Sequence, residues 1–253
     1  MKKLTLAAAL VASMAGMTAA HAYQSEVGAD YNYVDYDNGA SGDQFGIDAT
    51  YYFNPVTDSN VPLAEAGFMN RAGNAKLRAS FADAGNTDVS DIGIGAEYYI
   101  PDTDFYVSGQ VARVDVENDF IGDYDYTRYA AEVGYLPTAN FLIAAGLVGS
   151  KFEGDDSTDP SIRAKYVTRV GQHDWNFEAG GVFGDQDRYN LAADYYVDST
   201  FSVGAQYVND DLSDRDDFGI RARKFINQQA SIEGNLGFGD NANTFGLRGT
   251  YRF

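Results

Sequence analysis

Over most of its length the chain places an apolar residue at every second position. Phe45 to Phe53, Ile92 to Ile100 and Tyr189 to Val197 share one plan, in which apolar residues alternate with small or polar ones and the run closes on aromatics. A period of two is the signature of a strand with one apolar face. A short turn follows, as at Pro101 to Asp104 or Asp198 to Thr200, and strands open again on Phe105, Phe141, Trp175 and Phe201. This is hairpin grammar, repeated at intervals of roughly 40 to 50 residues. The pattern predicts fourteen strands, near 26–36, 44–53, 74–83, 91–100, 105–117, 124–136, 141–153, 161–170, 174–185, 188–197, 201–211, 216–226, 230–239 and 244–253. A twelve-strand reading of the same repeat stays open. Most runs reach the nine to eleven or so residues that cross a bilayer at a tilt.

The two faces separate most clearly in the last strand. Phe245, Leu247, Gly249, Tyr251 and Phe253 share one side, and Thr244, Gly246, Arg248, Thr250 and Arg252 the other. A soluble sandwich would also keep charge to one face, but two features favour lipid outside. The aromatics gather at strand ends beside the short turns (Tyr51, Tyr52, Phe53, Tyr98, Tyr99, Tyr135, Tyr195, Tyr196), where rings settle at a membrane–water boundary. The apolar mid-strand positions are small, as at Ala49, Ala96, Ala131, Ala145, Ala193 and Ala205, which would make a thin sandwich core. The fold class is therefore all-β: a transmembrane antiparallel up-and-down barrel with both termini on the side of the short turns.

The alternation slips in two places. In 105–117 the apolar phase moves from Phe105, Val107 and Val111 to Val114 and Val116, leaving Arg113 and Asp115 on the former apolar face. A β-bulge near Ala112 or an exit from the bilayer would each explain it. Lys224-Phe225-Ile226 slips similarly.

The first residues add the compartment. Lys2 and Lys3 precede an apolar stretch from Leu4 to Met17, and Ala20-His21-Ala22 gives a small-x-small site. The stretch is too short to span and reads as a signal peptide cleaved after Ala22, leaving 23–253 as the barrel. Composition agrees with a folded, exported chain. Nineteen Tyr and 16 Phe argue against disorder, and the lack of any Cys excludes a disulfide framework. A mean hydropathy of −0.33 suits a barrel in which only alternate residues meet lipid. A net charge of −19 disfavours nucleic acid as a partner.

Catalytic chemistry finds little support. His21 falls in the signal peptide, leaving His173 in a turn, and an enzyme is not expected. No cofactor is implied. The acidic runs Asp155 to Asp159 and Asp210 to Asp217 lack the closing bidentate Glu of a calcium loop and read as solvated loops.

The chain ends on Tyr251-Arg252-Phe253, with Tyr251 and Phe253 on the apolar face of an amphipathic strand. This ending resembles the sorting signal of outer-membrane barrels and implies the barrel-assembly machinery as a partner. The segment Val61 to Ala72 resembles part of the general porins of gamma-proteobacteria, and the mature length resembles bacterial porins. The resemblance implies a water-filled pore for small hydrophilic solutes in the outer membrane. The spacing of Leu63, Ala66, Gly67 and Met69 suggests a brief helix, read as an elaborated periplasmic turn rather than a plug.

Charged residues on the polar face become pore-lining candidates: Arg78, Arg128, Arg163, Lys165, Arg169, Arg188, Arg221, Arg223, Arg248 and Arg252, with Asp30, Asp48, Glu97, Glu132, Glu178, Asp194 and Glu233. The expectation is a transverse field of cations facing carboxylates across the lumen. Surplus acid in the opposite loops would concentrate cations at the mouth. A closed structural or adhesive barrel is the competing reading. The pattern does not set the solute or the oligomeric state.

Overall fold

The computed structural model describes residues 22–57, 61–184, 187–211 and 215–253. Fourteen antiparallel strands close into one barrel: β1 (Ala22–Tyr36), β2 (Ser41–Thr57), β3 (Asn74–Asp83), β4 (Thr87–Tyr99), β5 (Phe105–Asn118), β6 (Tyr124–Thr138), β7 (Phe141–Phe152), β8 (Asp155–Val170), β9 (His173–Val182), β10 (Arg188–Asp198), β11 (Phe201–Asp210), β12 (Arg215–Phe225), β13 (Ala230–Gly239) and β14 (Ala242–Arg252). Fourteen strands, not twelve, complete the circuit. Each strand pairs with its neighbours in sequence, and β14 returns to β1 in register from Glu26–Arg252 to Tyr36–Ala242. Closure leaves no strand edge with unpaired backbone groups, which hydrocarbon does not tolerate. At the turn end of this seam the Gln24 N–H donates to Phe253 O (2.7 Å) and the Phe253 N–H to Ser25 O (2.9 Å). The expected signal peptide lies outside the described residues except for Ala22, which stands opposite Thr57.

Large aliphatic side chains point away from the lumen and lie bare. Leu247 is 71% exposed and Val133 66%, a surface that only a lipid environment makes stable. Aromatic pairs ring the turn end: Phe53–Tyr98, Phe105–Tyr135, Phe141–Tyr166, Trp175–Tyr195 and Tyr251–Phe253. A second belt, which the sequence did not reveal, occupies the loop end, where Tyr31, Phe45 and Phe81 form one cross-strand row and Tyr207, Phe218 and Phe238 another.

The tyrosine doublets require a correction. Tyr51, Tyr98 and Tyr195 belong to the girdle, but Tyr52, Tyr99 and Tyr196 point inward, because adjacent strand residues take opposite faces. Tyr196 is buried and Tyr52 packs beside Tyr23.

The slip in β5 is not a bulge. Its register runs unbroken against β4 and β6 through Ala112. Val114 and Val116 turn inward and are buried, while Arg113 bonds Asp115 and Asp125 on the outer face. Polarity has inverted because this end of the hairpin stands beyond the hydrocarbon. Lys224 likewise lies outward beside Asp198 at the turn edge, and Phe225 inward, in unbroken register. The actual register shifts fall between Tyr23 and Ser25, Tyr135 and Thr138, and Tyr196 and Asp198. The acidic run at 155–159 is also corrected: it opens β8 rather than forming a loop.

Candidate functional site

The polar face of the barrel is an interior wall of ion pairs. Arg248 of β14 meets Asp30 of β1 (3.1 Å) and Asp48 of β2 (2.7 Å), and Arg78 of β3 meets the same two carboxylates (3.0 and 3.4 Å). Further round, Arg163 pairs with Glu132 (2.6 Å), Arg221 with Asp194 (2.7 Å) and Arg223 with Glu233 (2.6 Å). Lys76 bonds Glu97 and Arg128 bonds Asp91. Arg169 holds Asp174 at the turn edge (3.0 Å), Arg188 holds Asp210 at the loop edge, and Lys165 bonds Glu178 (2.8 Å).

These contacts run along the wall, not across the lumen. Several skip a strand, and where Arg78, Arg248 and Arg221 do so the skipped position is a glycine. Gly46 of β2 lies beneath the Asp30–Arg78 pair, and a Cβ there would stand 2.6 Å from the Asp30 carboxylate and 2.7 Å from the Arg78 guanidinium. Gly28 lies beneath Arg248 and Asp48, and Gly204, in register with both, beneath Arg221 and Asp194, whereas Arg163 reaches Glu132 past Ala144 and Gly146, and Arg128 reaches Asp91 past Ala112 and Val114. The missing side chains let long cations lie flat. Opposite charges thus alternate around the circumference, which replaces the expected transverse field.

The turn-side mouth differs. Residues 61–72 were expected to form an elaborated turn, but they cross the lumen end. Pro62 turns the chain into a 3-10 turn (Leu63–Glu65), followed by a one-turn helix α1 (Ala66–Met69). On one side Val61, Ala66 and Ala72 pack with Tyr23, Tyr52 and Val56 of β1 and β2. On another, Phe68 packs with Tyr99, Tyr106, Leu136 and Leu142 of β4 to β7. From β8, opposite β1 in the circuit, Lys165 reaches Glu65 (2.8 Å) and lies over the Phe68 ring. The Tyr196 hydroxyl donates to Glu65 Oε1 (2.6 Å). The Leu63 N–H donates to Ser199 O (2.8 Å), and Arg252 donates to Leu63 O (3.0 Å). Arg71, in a left-handed conformation (φ 48°), ends the segment and bonds Asp104 (3.1 Å). The segment is therefore fastened wall to wall. Glu65 was missed in the sequence, although a lone acid inside an apolar run was the available signal.

His173 contacts the Tyr195 ring and lies 3.3 Å from Tyr196 O. Among the described residues, no group of three or more His, Asp or Glu is placed to hold a metal ion.

Comparisons with known proteins agree with this geometry. No curated protein matches the sequence. Among solved structures, the outer membrane protein Omp33 of Acinetobacter baumannii superposes with a TM-score of 0.73 at 28% identity, covering 92% of this chain and 99% of that one. A KdgM porin aligns over 89% of this chain and 99% of its own at 10% identity, with a TM-score of 0.46. The sequence profile described as "Putative general bacterial porin" matches residues 1–159, well over half of the chain. The chain is an outer-membrane β-barrel and belongs to that general bacterial porin family.

Proposed function

We infer that the barrel is a passive channel for small hydrophilic solutes, with its turn side toward the periplasm. The observation that carries this reading is the flat disposition of the wall charges over glycines. A structural barrel closed by its own side chains would send them into the lumen to meet across it. Here the pairs lie along the wall, which supports an interior left to water and solute. The crossing segment 61–72 is the counter-observation, since it favours a barrel that is shut at rest. Both readings are met by one comparison, the intact protein against a variant in which Pro62 to Arg71 is replaced by a short Gly-Ser link.

Liposome swelling with sugars of graded size should show uptake by the variant at larger sizes and faster rates than by the intact barrel. Uptake by neither protein, with the folded electrophoretic band retained, would sink the channel reading. Surplus carboxylates such as Asp35, Asp37, Asp83, Asp88 and Glu117 sit at the loop end. Planar-bilayer recording should therefore give a weak cation preference that fades with salt. Export by a signal peptide and insertion by the barrel-assembly machinery complete the proposed route to the outer membrane.

A further inference from the structure

The penultimate residue does more than its place in a sorting strand requires. Arg252 lies between Tyr251 and Phe253, whose rings face lipid, but its own side chain points inward and is only 5% exposed. A guanidinium buried that deeply is costly unless charge and hydrogen bonds are both met. Four residues from three separate parts of the chain meet them. Nε donates to Glu26 of β1 (2.5 Å) and Nη1 to the carbonyl of Leu63 (3.0 Å). The plane lies between the rings of Tyr23 (4.6 Å) and Phe225 (4.5 Å), faces that attract a cation. Two of these partners, Tyr23 and Glu26, belong to the first strand, and Arg252 belongs to the last.

The pocket for Arg252 therefore exists only after β14 has paired with β1. The donor that holds the Leu63 carbonyl is in place only then. The N–H of the same residue donates to Ser199 O, so loss of the Arg252 bond leaves the Leu63 backbone held through its N–H alone. We propose that Arg252 is a positioning residue that makes docking of the segment 61–72 depend on closure of the β1–β14 seam. A barrel still open at the seam leaves its mouth segment undocked, and sealing the seam seats it. This rests on the reading of that segment as the obstruction in the channel, but its test does not need conductance.

The chain has no cysteine, so Ala66→Cys, at a fully buried position of the segment, reports docking by its rate of maleimide labelling in the refolded barrel. In that background Arg252→Gln should label about tenfold faster, the effect of losing one charge-assisted hydrogen bond, with the folded band unchanged. Arg248→Gln serves as control, because it breaks pairs with Asp30 and Asp48 at the same seam and has no bond to the segment. It should label at the parent rate. The proposal is overturned if Arg252→Gln labels no faster, or if Arg248→Gln labels as fast as it does. Should Arg252→Gln fail to assemble, Arg252→Lys is judged by the same criterion, since it keeps a charge near Glu26 but lacks the fork that also reaches Leu63. A barrel that never conducts would defeat the channel reading and leave this result standing.

Discussion

The middle of the lumen and its turn-side mouth use the same chemistry, basic side chains against carboxylates, to opposite ends. In the middle, Arg78 and Arg248 share Asp30 and Asp48 over glycines, and the Arg78 side chain remains 47% exposed to the interior. At the mouth, Lys165 joins the more exposed Glu178 to Glu65, whose side chain is only 7% exposed. An ion pair on a wetted wall contributes about 0–1 kcal/mol. A buried pair adds little net stability, but removing one partner costs about 3–5 kcal/mol because a charge is left stranded. Pairs on the wall define a surface, and pairs at the mouth hold a piece in place.

The largest effect should therefore come from Lys165→Met. It strands the buried Glu65 carboxylate, removes the cation above Phe68 and leaves the more exposed Glu178 to Asn176 and water. Docking of the mouth segment should weaken by about 3 kcal/mol or more. Single-channel recording should show longer or larger openings than in the parent. Tyr196→Phe removes one hydrogen bond to Glu65 and should act in the same direction, by about 1–2 kcal/mol. Unchanged conductance in both variants, with both barrels folded, would erase the distinction between mouth and wall.

Next in size is a change that turns wall into obstruction. Gly46→Leu places a side chain where the Asp30–Arg78 pair now lies, and there is no room for both. Overpacking of this kind costs about 1–3 kcal/mol. Relief comes by lifting Arg78 into the lumen, so conductance should fall while the folded band persists. Gly39 is the control, since its neighbourhood is open, but its φ of 83° calls for Asn rather than Leu. A Gly46→Leu barrel that conducts like the parent would show that the flat pairing does not keep the lumen clear.

How much of this was legible beforehand follows from how far each contact reaches along the chain. The strands were legible because lipid forces an apolar residue at every second position, and β3 runs over the residues the pattern predicted, Asn74–Asp83. β8 was predicted to begin at 161 but starts at Asp155, because its acidic opening lies outside lipid and carries no apolar contrast. The polar face was legible for the same reason that charge avoids hydrocarbon. Partner choice was not, since Arg221 finds Asp194 across an intervening strand whose contribution is the absence of a side chain at Gly204. The mouth was least legible. Glu65 and Tyr196 are 131 residues apart, and the inward member of each tyrosine doublet reads as its girdle neighbour until the pleat is built.

The smallest expected effect tests the comparison from the side of the wall. A double-mutant cycle on Arg78 and Asp30 asks what a pair bridging Gly46 contributes. Arg78→Gln and Asp30→Asn, alone and together, should give a coupling of about 1 kcal/mol or less in urea unfolding of the detergent-solubilised barrel. Each single variant leaves its former partner another opposite charge, Asp48 for Arg78 and Arg248 for Asp30, so no charge is stranded. The coupling should also shrink as salt rises from low values to about 1 M, where screening acts within roughly 3 Å. The same cycle on Lys165 and Glu65 should be several-fold larger and nearly insensitive to salt, because ions have little access there. Equal couplings with equal salt dependence would mean that mouth and wall are one electrostatic environment. A larger coupling on the wall would reverse the assignment, making the glycine-bridged pairs the structural fastening and the mouth segment a loosely held turn.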